Sequence, residues 1–151
     1  MRHAHEKSKY GLKALSALAE VPPGQLAFVG DIARRNNIPK KFLDAILSEL
    51  RNAGFVYSRK GKAGGYSLAR PADEIKIGHV DRVLDGPLAP IPCASKTRYQ
   101  PCGDCDEATC QIRRLMLDVR NAIADVLDNT SLTQMCDMGG PEVLIAETMT
   151  A

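Results

Sequence analysis

Four of the five cysteines lie in one short stretch, Cys93, Cys102, Cys105 and Cys110, spaced C-x8-C-x2-C-x4-C. Thiolates in this number can enclose zinc or an iron–sulfur cluster, since both prefer soft sulfur donors. The x2 and x4 spacings let neighbouring sulfurs converge. Cys136 stands apart and reads as an incidental thiol. Around the four, residues 87–109 have neither helical nor strand periodicity, and a loop that long in a compact domain is usually functional or disordered. A bound metal centre would supply order that so short a loop cannot draw from apolar burial. An odd number of cysteines suits a disulfide framework badly. No continuous apolar run follows Arg2, Lys7, Lys9 and Lys13, so no secretory signal is read, and none reaches the roughly 18 residues of a membrane helix. The expected setting is the cytoplasm with no membrane partner, where clustered thiols more often mean metal or redox chemistry than disulfides.

A second set of residues carries charge. The chain as a whole has a formal net charge of only +2. Residues 1–70, however, hold 13 Lys/Arg against 5 Asp/Glu, or +8, while residues 71–151 hold 7 against 13, or −6. Six of the seven aromatics also lie in the basic part. Such asymmetry points to nucleic-acid binding by the basic portion. A composition 44% hydrophobic and 25% charged excludes collagen-like, membrane-spanning and disordered classes.

The elements that must position these groups follow from periodicity and breakers. Residues 9–20 carry apolar positions at helical spacing, and Val21-Pro22-Pro23-Gly24 stops the helix. A short extended piece at 26–28 precedes a second helix from Gly30-Asp31 through Arg35, with Asn36-Asn37 as its left-handed exit. Pro39 suits a first turn. Residues 40–53 then read as a third helix whose apolar face is Phe42, Leu43, Ile46, Leu47 and Leu50. Lys40, Lys41, Asp44, Ser48 and Arg51 are left on or near the other face. Two short helices joined by a tight turn form a helix-turn-helix, whose second helix can enter the major groove. Strand-like runs at 55–58 and 66–69 flank Arg59-Lys60-Gly61-Lys62-Ala63-Gly64-Gly65, where cations at a glycine-rich tip suit phosphates. Together these make a winged helix; a solvated hairpin in an unrelated domain is the alternative. From 111 to 127, Ile112, Leu115, Met116, Val119, Ile123, Val126 and Leu127 recur at three- and four-residue steps. That stripe suits either a partner's copy of the same helix or an intramolecular core.

Several blocks in one order carry a family resemblance. They are Lys9-Tyr10-Gly11-Leu12-Lys13-Ala14-Leu15, Asp31-Ile32-Ala33, Phe42-Leu43-Asp44 and Leu50-Arg51-Asn52-Ala53-Gly54-Phe55-Val56. The glycine-rich Gly61-Lys62-Ala63-Gly64-Gly65-Tyr66-Ser67-Leu68-Ala69-Arg70-Pro71 follows, then Ile75-Lys76-Ile77-Gly78-His79-Val80 and Leu84-Asp85-Gly86-Pro87. Over about residues 1–135 the chain resembles the Rrf2 family of bacterial regulators, the group that includes IscR, NsrR and CymR. The resemblance implies a mainly α (α+β) winged helix-turn-helix with a two-stranded wing and a long C-terminal dimerisation helix. It implies a homodimeric repressor or dual transcription regulator on a pseudo-palindromic double-stranded DNA operator. On that basis residues 1–70 form the DNA-binding part and 71–86 a connecting strand and helix. Residues 87–109 form a cysteine-rich sensor loop, 110–128 the dimerisation helix and 137–151 a flexible tail.

The expected DNA-binding residues are Lys40, Lys41, Asp44, Ser48, Arg51, Arg59, Lys60 and Lys62. In IscR-like members an acidic residue at the place of Asp44 influences operator choice, and a carboxylate can accept from cytosine N4. Lys60 stands where the family often has Arg, and a point charge suits phosphate positioning more than base readout. Cluster-binding members have three cysteines in this loop and often a non-cysteine fourth ligand. Cys93 and Cys110 match the outer two, and Cys102 or Cys105 the middle one. This chain adds a fourth cysteine and carries Arg113 where IscR has a ligating His; His3, His5 and His79 are distant in sequence.

The expected metal ligands are therefore Cys93, Cys102, Cys105 and Cys110, holding an iron–sulfur cluster, 2Fe–2S in preference to 4Fe–4S. The signal would be iron supply, oxygen, nitric oxide or redox state, read out as a two-state repacking of the loop. A thiol switch, or a regulator holding zinc or nothing, is the alternative. No phosphate loop, nucleophile–base pair or His-rich site is present, so no enzyme is expected; a small cysteine-based redox enzyme is the one enzymatic candidate. His79 is expected in a helix spanning 77–84, as a packing or surface residue.

Overall fold

The computed structural model describes residues 4–139, with side chains from Glu6 onward. His3 and the tail beyond Gly139 lie outside the described residues. Helix α1, Ala4–Ala19, is the spine of the molecule. Its buried Ala14, Leu15 and Leu18 face α2 (Val29–Asn36), α3 (Lys40–Asn52) and α4 (Ile77–Asp85). Helix α2 ends as anticipated: Asn37 sits in the left-handed region at φ 56. Its neighbour Ile38 is buried and donates its N–H to Ala33 O. Helix α3 buries Leu43, Ile46, Leu47 and Leu50. Phe42, expected on the same face, is instead 58% exposed. It precedes Leu43 by one residue, a turn of 100°, which carries its ring off the buried stripe to the flank shared with Glu49. Glu49 there pairs with Lys7 of α1 at 2.7 Å.

The wing pairs β1 (Val56–Arg59) antiparallel with β2 (Gly65–Leu68), from Val56 opposite Leu68 to Arg59 opposite Gly65. The extended piece before α2 docks on it, since Ala27 and Tyr66 exchange both backbone hydrogen bonds at 2.8 Å. Gly65 permits this approach; a Cβ there would lie 2.5 Å from Ala27 O. The wing is thereby held by the segment before α2 at Tyr66, one pair in from the turn that carries its tip.

Residues 71–76 form a 3-10 turn (Ala72–Glu74) and a single bridge between Lys76 and Ser131, where a connecting strand was expected. The bridge matters because it ties the far end of the chain to the head. Ile77 N–H donates to Thr130 O at 2.9 Å and Leu132 N–H to Ile75 O at 2.8 Å. Helix α5, Gln111–Leu127, has the bounds its periodicity predicts. It is followed by α6, Leu132–Asp137, an element the sequence reading did not contain. Its start is a capping box in which the Ser131 side chain accepts from Gln134 N–H and the Gln134 side chain accepts from Ser131 N–H. Leu132 is fully buried in the same core as Leu15 and Leu47. Arg82 of α4 grips Asp128 with two hydrogen bonds, 2.6 and 2.9 Å, beside Gly78, whose missing side chain leaves the room for that carboxylate.

Candidate DNA-reading face and cysteine loop

Lys40, Lys41, Asp44 and Arg51 of α3 are all exposed, with Ser48 half-buried among them. Lys40 Nζ lies 3.3 Å from Asp44 Oδ2, so this carboxylate, one turn into the helix, is partly neutralised by its own helix. Arg51 donates to Ser58 Oγ at 3.4 Å, linking the end of α3 to β1. Arg59, Lys60 and Lys62 are exposed at and beside the wing tip. Tyr57, two residues before Arg59 and therefore on the same face of β1, is 54% exposed. Neither it nor Phe42 was anticipated as surface. His79 lies exposed in α4, remote in sequence from the cysteines.

The cysteine segment is organised by polar atoms. Cys110 is the N-cap of α5, and its Sγ accepts from Arg113 N–H at 3.4 Å. That donor, at a helix N-terminus, holds the Cys110 thiol below its ordinary pKa. The Cys102 Sγ donates to Asp104 Oδ1 at 2.7 Å. The ligand atoms of Cys102, Asp104 and Cys105 all lie within 4.8 Å of one another. The neighbouring thiols, Cys102 first and then Cys110, push the Cys105 pKa up to about 12. Cys102 and Cys105 are thus brought together with Asp104.

Cys93 sits in the 3-10 turn Pro92–Ala94, buried, and its carbonyl accepts from Arg113 Nε at 2.9 Å. Arg113 therefore spans the segment, with its backbone on Cys110 and its guanidinium on Cys93. A guanidinium stays protonated and cannot ligate a metal, so Arg113 is a brace. Glu107 is the second brace. It accepts from Cys102 N–H at 2.6 Å and from the Tyr99 hydroxyl, and lies 3.9 Å from Arg113. These partners, Tyr99 first, hold its carboxyl below the usual range, and the same bond raises the Tyr99 hydroxyl. Sequence reasoning missed this Tyr99–Glu107–Arg113 chain; none of the three is at a spacing that marks it. The donor chemistry, two adjoining thiols and a carboxylate with further thiols in the same loop, fits a thiophilic metal or cluster. Cys136 is exposed on α6, outside the loop.

A family model described as Rrf2, iron-dependent transcriptional regulator, matches residues 4–138. The chain belongs to the Rrf2 family. Among curated relatives, an Rrf2-like HTH-type transcriptional regulator of Rhodobacter capsulatus is 41% identical, over 94% of this chain and 97% of its own length. The HTH-type regulator CymR of Bacillus subtilis is 34% identical over 85% and 86%. Among solved structures, CymR, described as the global cysteine regulator of B. subtilis, superposes with TM-score 0.71 at 33% identity, covering 89% of this chain and 95% of that one. IscR of T. potens does so with TM-score 0.68 at 28% identity, covering 87% and 83%. This Rrf2 protein is accordingly a DNA-binding transcriptional regulator with a winged-helix fold, and not an enzyme. None of its described helices is long and apolar enough to cross a membrane.

Proposed function

We propose that this regulator binds a DNA operator as a homodimer and that an iron–sulfur cluster held by the loop at 87–109 controls the binding. The observation that carries the reading is the grouping of the Cys102, Asp104 and Cys105 ligand atoms within 4.8 Å, just before Cys110 caps the N-terminus of α5, the helix that runs back to the head. The loop thiols Cys93, Cys102, Cys105 and Cys110 are the candidate ligands. The cluster, when bound, supplies a redox- and ligand-responsive centre. The protein's own residues do the rest. Arg113 and Glu107 hold the loop around the thiols, α5 carries the loop's state toward Asp128, and Arg82 passes it to α4 of the head. Lys40, Lys41, Asp44, Ser48 and Arg51 face the major groove, while Arg59, Lys60 and Lys62 reach phosphates beside it. The family description as iron-dependent and the likeness to an IscR support an iron centre. Exposed Ile112, Leu115, Val119 and Val126 on α5 support pairing of that helix with a second copy.

Anaerobic purification followed by an absorption spectrum and iron, sulfide and zinc analysis tests the cluster. Iron with acid-labile sulfide is the expected result; a colourless protein containing neither overturns it. A gel shift on the protein's own promoter region tests operator binding.

A thiol switch is the second reading, favoured by the closeness of the Cys102 and Cys105 sulfurs, within 4.8 Å of one another. Two of these thiols would lose two protons and two electrons to a peroxide, forming one disulfide and reducing the peroxide to water. Cysteine mapping by mass spectrometry after peroxide treatment separates the two readings.

A further inference from the structure

Helix α3 passes into the wing through Ala53, Gly54 and Phe55 alone. Gly54 stands there at φ 83, in the left-handed region that glycine adopts without strain. One side chain, Arg70, engages all of this link. Its Nε donates to Gly54 O at 3.1 Å and its Nη2 to Ala53 O at 3.5 Å, while its guanidinium carbon lies 5.1 Å from the centre of the Phe55 ring. We infer that Arg70 is a positioning residue for DNA reading: it fixes the angle between α3 and the wing, so that both meet the duplex in one register. This inference rests on the proposed placement of α3 in the major groove and of the wing on phosphates.

The chemistry of the helix end argues for it. The last carbonyls of a helix have no partner within it and form the negative end of its dipole, where a cation is stabilised. The last turn of α3 carries Arg51, but that side chain runs to Ser58 Oγ on β1. Arg70 brings its charge from beyond β2. The strand delivers it there, because Ala69 N–H donates to Phe55 O at 3.0 Å and so lays the returning chain beside the link. A guanidinium suits the place, since its planar fork reaches adjoining carbonyls while its face lies over a ring. A Cβ on Gly54 would come within 3.2 Å of Nη2, so the glycine also leaves room for the fork.

The wing has a second anchor, which does a different job. Ala27 holds β2 through Tyr66, near the turn, and refers the wing to the segment before α2. Arg70 acts at the opposite end of β2 and refers the wing to α3. Arg70 is exposed, yet its Nε and Nη2 are taken up by the link. It therefore acts through the elements it holds. The expected phosphate contacts, Arg59, Lys60 and Lys62, lie at the far end of the lever that this link sets.

Fluorescence anisotropy on the full-length protein tests the assignment. The probe is a duplex that the wild-type protein selects from a random-sequence pool, with a scrambled duplex of equal length as reference. Arg70→Met keeps an apolar stem against Phe55 and removes the fork. It is expected to weaken the selected duplex by about tenfold and the scrambled one less, because only the first demands α3 and the wing in register. A double-mutant cycle with Lys62→Ala at the wing tip is decisive. The loss caused by Lys62→Ala is expected to be at least about twofold smaller in the Arg70→Met chain than in the wild type, since a wing already out of register has less to lose. Separate phosphate contacts, or a substitution that only loosens the fold, give losses that add. Unchanged affinity of Arg70→Met for the selected duplex overturns the inference. Additive losses in the cycle do the same, whether or not the urea midpoint moves, and both results leave the DNA-reading face intact. A Lys62→Ala without effect in the wild-type background, or a wild type that selects no duplex, overturns that placement and the inference with it.

Discussion

The head and the cysteine half of this molecule are stabilised by different physics. Seventeen buried apolar residues form the head's core, drawn from α1 to α4, the wing and the first residue of α6. Helix α5 adds none of them; its one buried residue, Ala124, lies outside that cluster. Ile112, Leu115 and Val126 are 64%, 58% and 63% exposed. The loop before it is held by hydrogen bonds and ion pairs through Glu107 and Arg113. A region built by apolar burial holds one conformation with a large margin, whereas a region held by a few polar contacts can exchange arrangements for a small free-energy difference. Reading DNA needs the first kind and sensing needs the second.

The comparison breaks if truncation costs the same in both halves. Leu47→Ala in α3, at 0% exposure, is expected to cost about 2–5 kcal/mol and to lower operator binding through partial unfolding. Urea unfolding followed by circular dichroism measures it. The matching change in α5, Leu115→Ala, should move the same midpoint hardly at all when measured on dilute protein. A charge on that face acts on assembly instead. Leu115→Glu with Ile112→Glu is expected to convert the dimer we propose to monomers in sedimentation velocity, with the head still folded. Operator affinity should drop by more than about tenfold, because one winged helix then binds one half-site. A double variant that stays dimeric would remove α5 from the interface.

The Arg82–Asp128 grip sharpens the boundary between the halves. Asp128→Asn is expected to cost about 1.5–3 kcal/mol, the range for a hydrogen bond to a charged group. Its pH dependence has a definite sign. Arg82 holds the Asp128 carboxyl below its ordinary pKa, so the contribution is complete above about pH 4 and fades as pH falls through the lowered native value. Thermal melts from pH 7 to 3 should show the wild-type advantage over Asp128→Asn vanishing only at the acid end. The smallest effects belong to the wing tip. Lys62→Ala should weaken binding about equally on operator and random DNA and reduce the salt slope by about 1, as fluorescence anisotropy at several salt concentrations would show.

Local chemistry made much of this legible in the sequence. Proline, glycine and asparagine placed the breaks at 21–24, 36–37 and 54, and the bounds of α5 follow from its stripe alone. What escaped depends on residues distant in sequence. Phe42 satisfies helical spacing with Ile46 yet turns to the flank, because the buried face is set by where α1 and α4 lie. Helix α6 is too short to declare a period; its Ser131–Gln134 capping box was the available signal. In the loop, the spacing marked the four thiols but not Glu107, Arg113 and Tyr99, which have no periodicity to betray them. Nor could spacing show that Cys93 lies buried in a 3-10 turn whose carbonyl the Arg113 guanidinium holds.

The position of Leu132 in the core has a consequence for the order in which the protein comes into being. The head's interior closes on a side chain that follows the cysteine loop and α5 in the chain. During synthesis, that interior stays open on one side until residue 132 has been made. Before that side chain can emerge and close it, the loop thiols, which precede it in the chain, have emerged as well. A nascent chain therefore presents its loop thiols before it can grip DNA, and the finished reading head is never older than the cysteine loop.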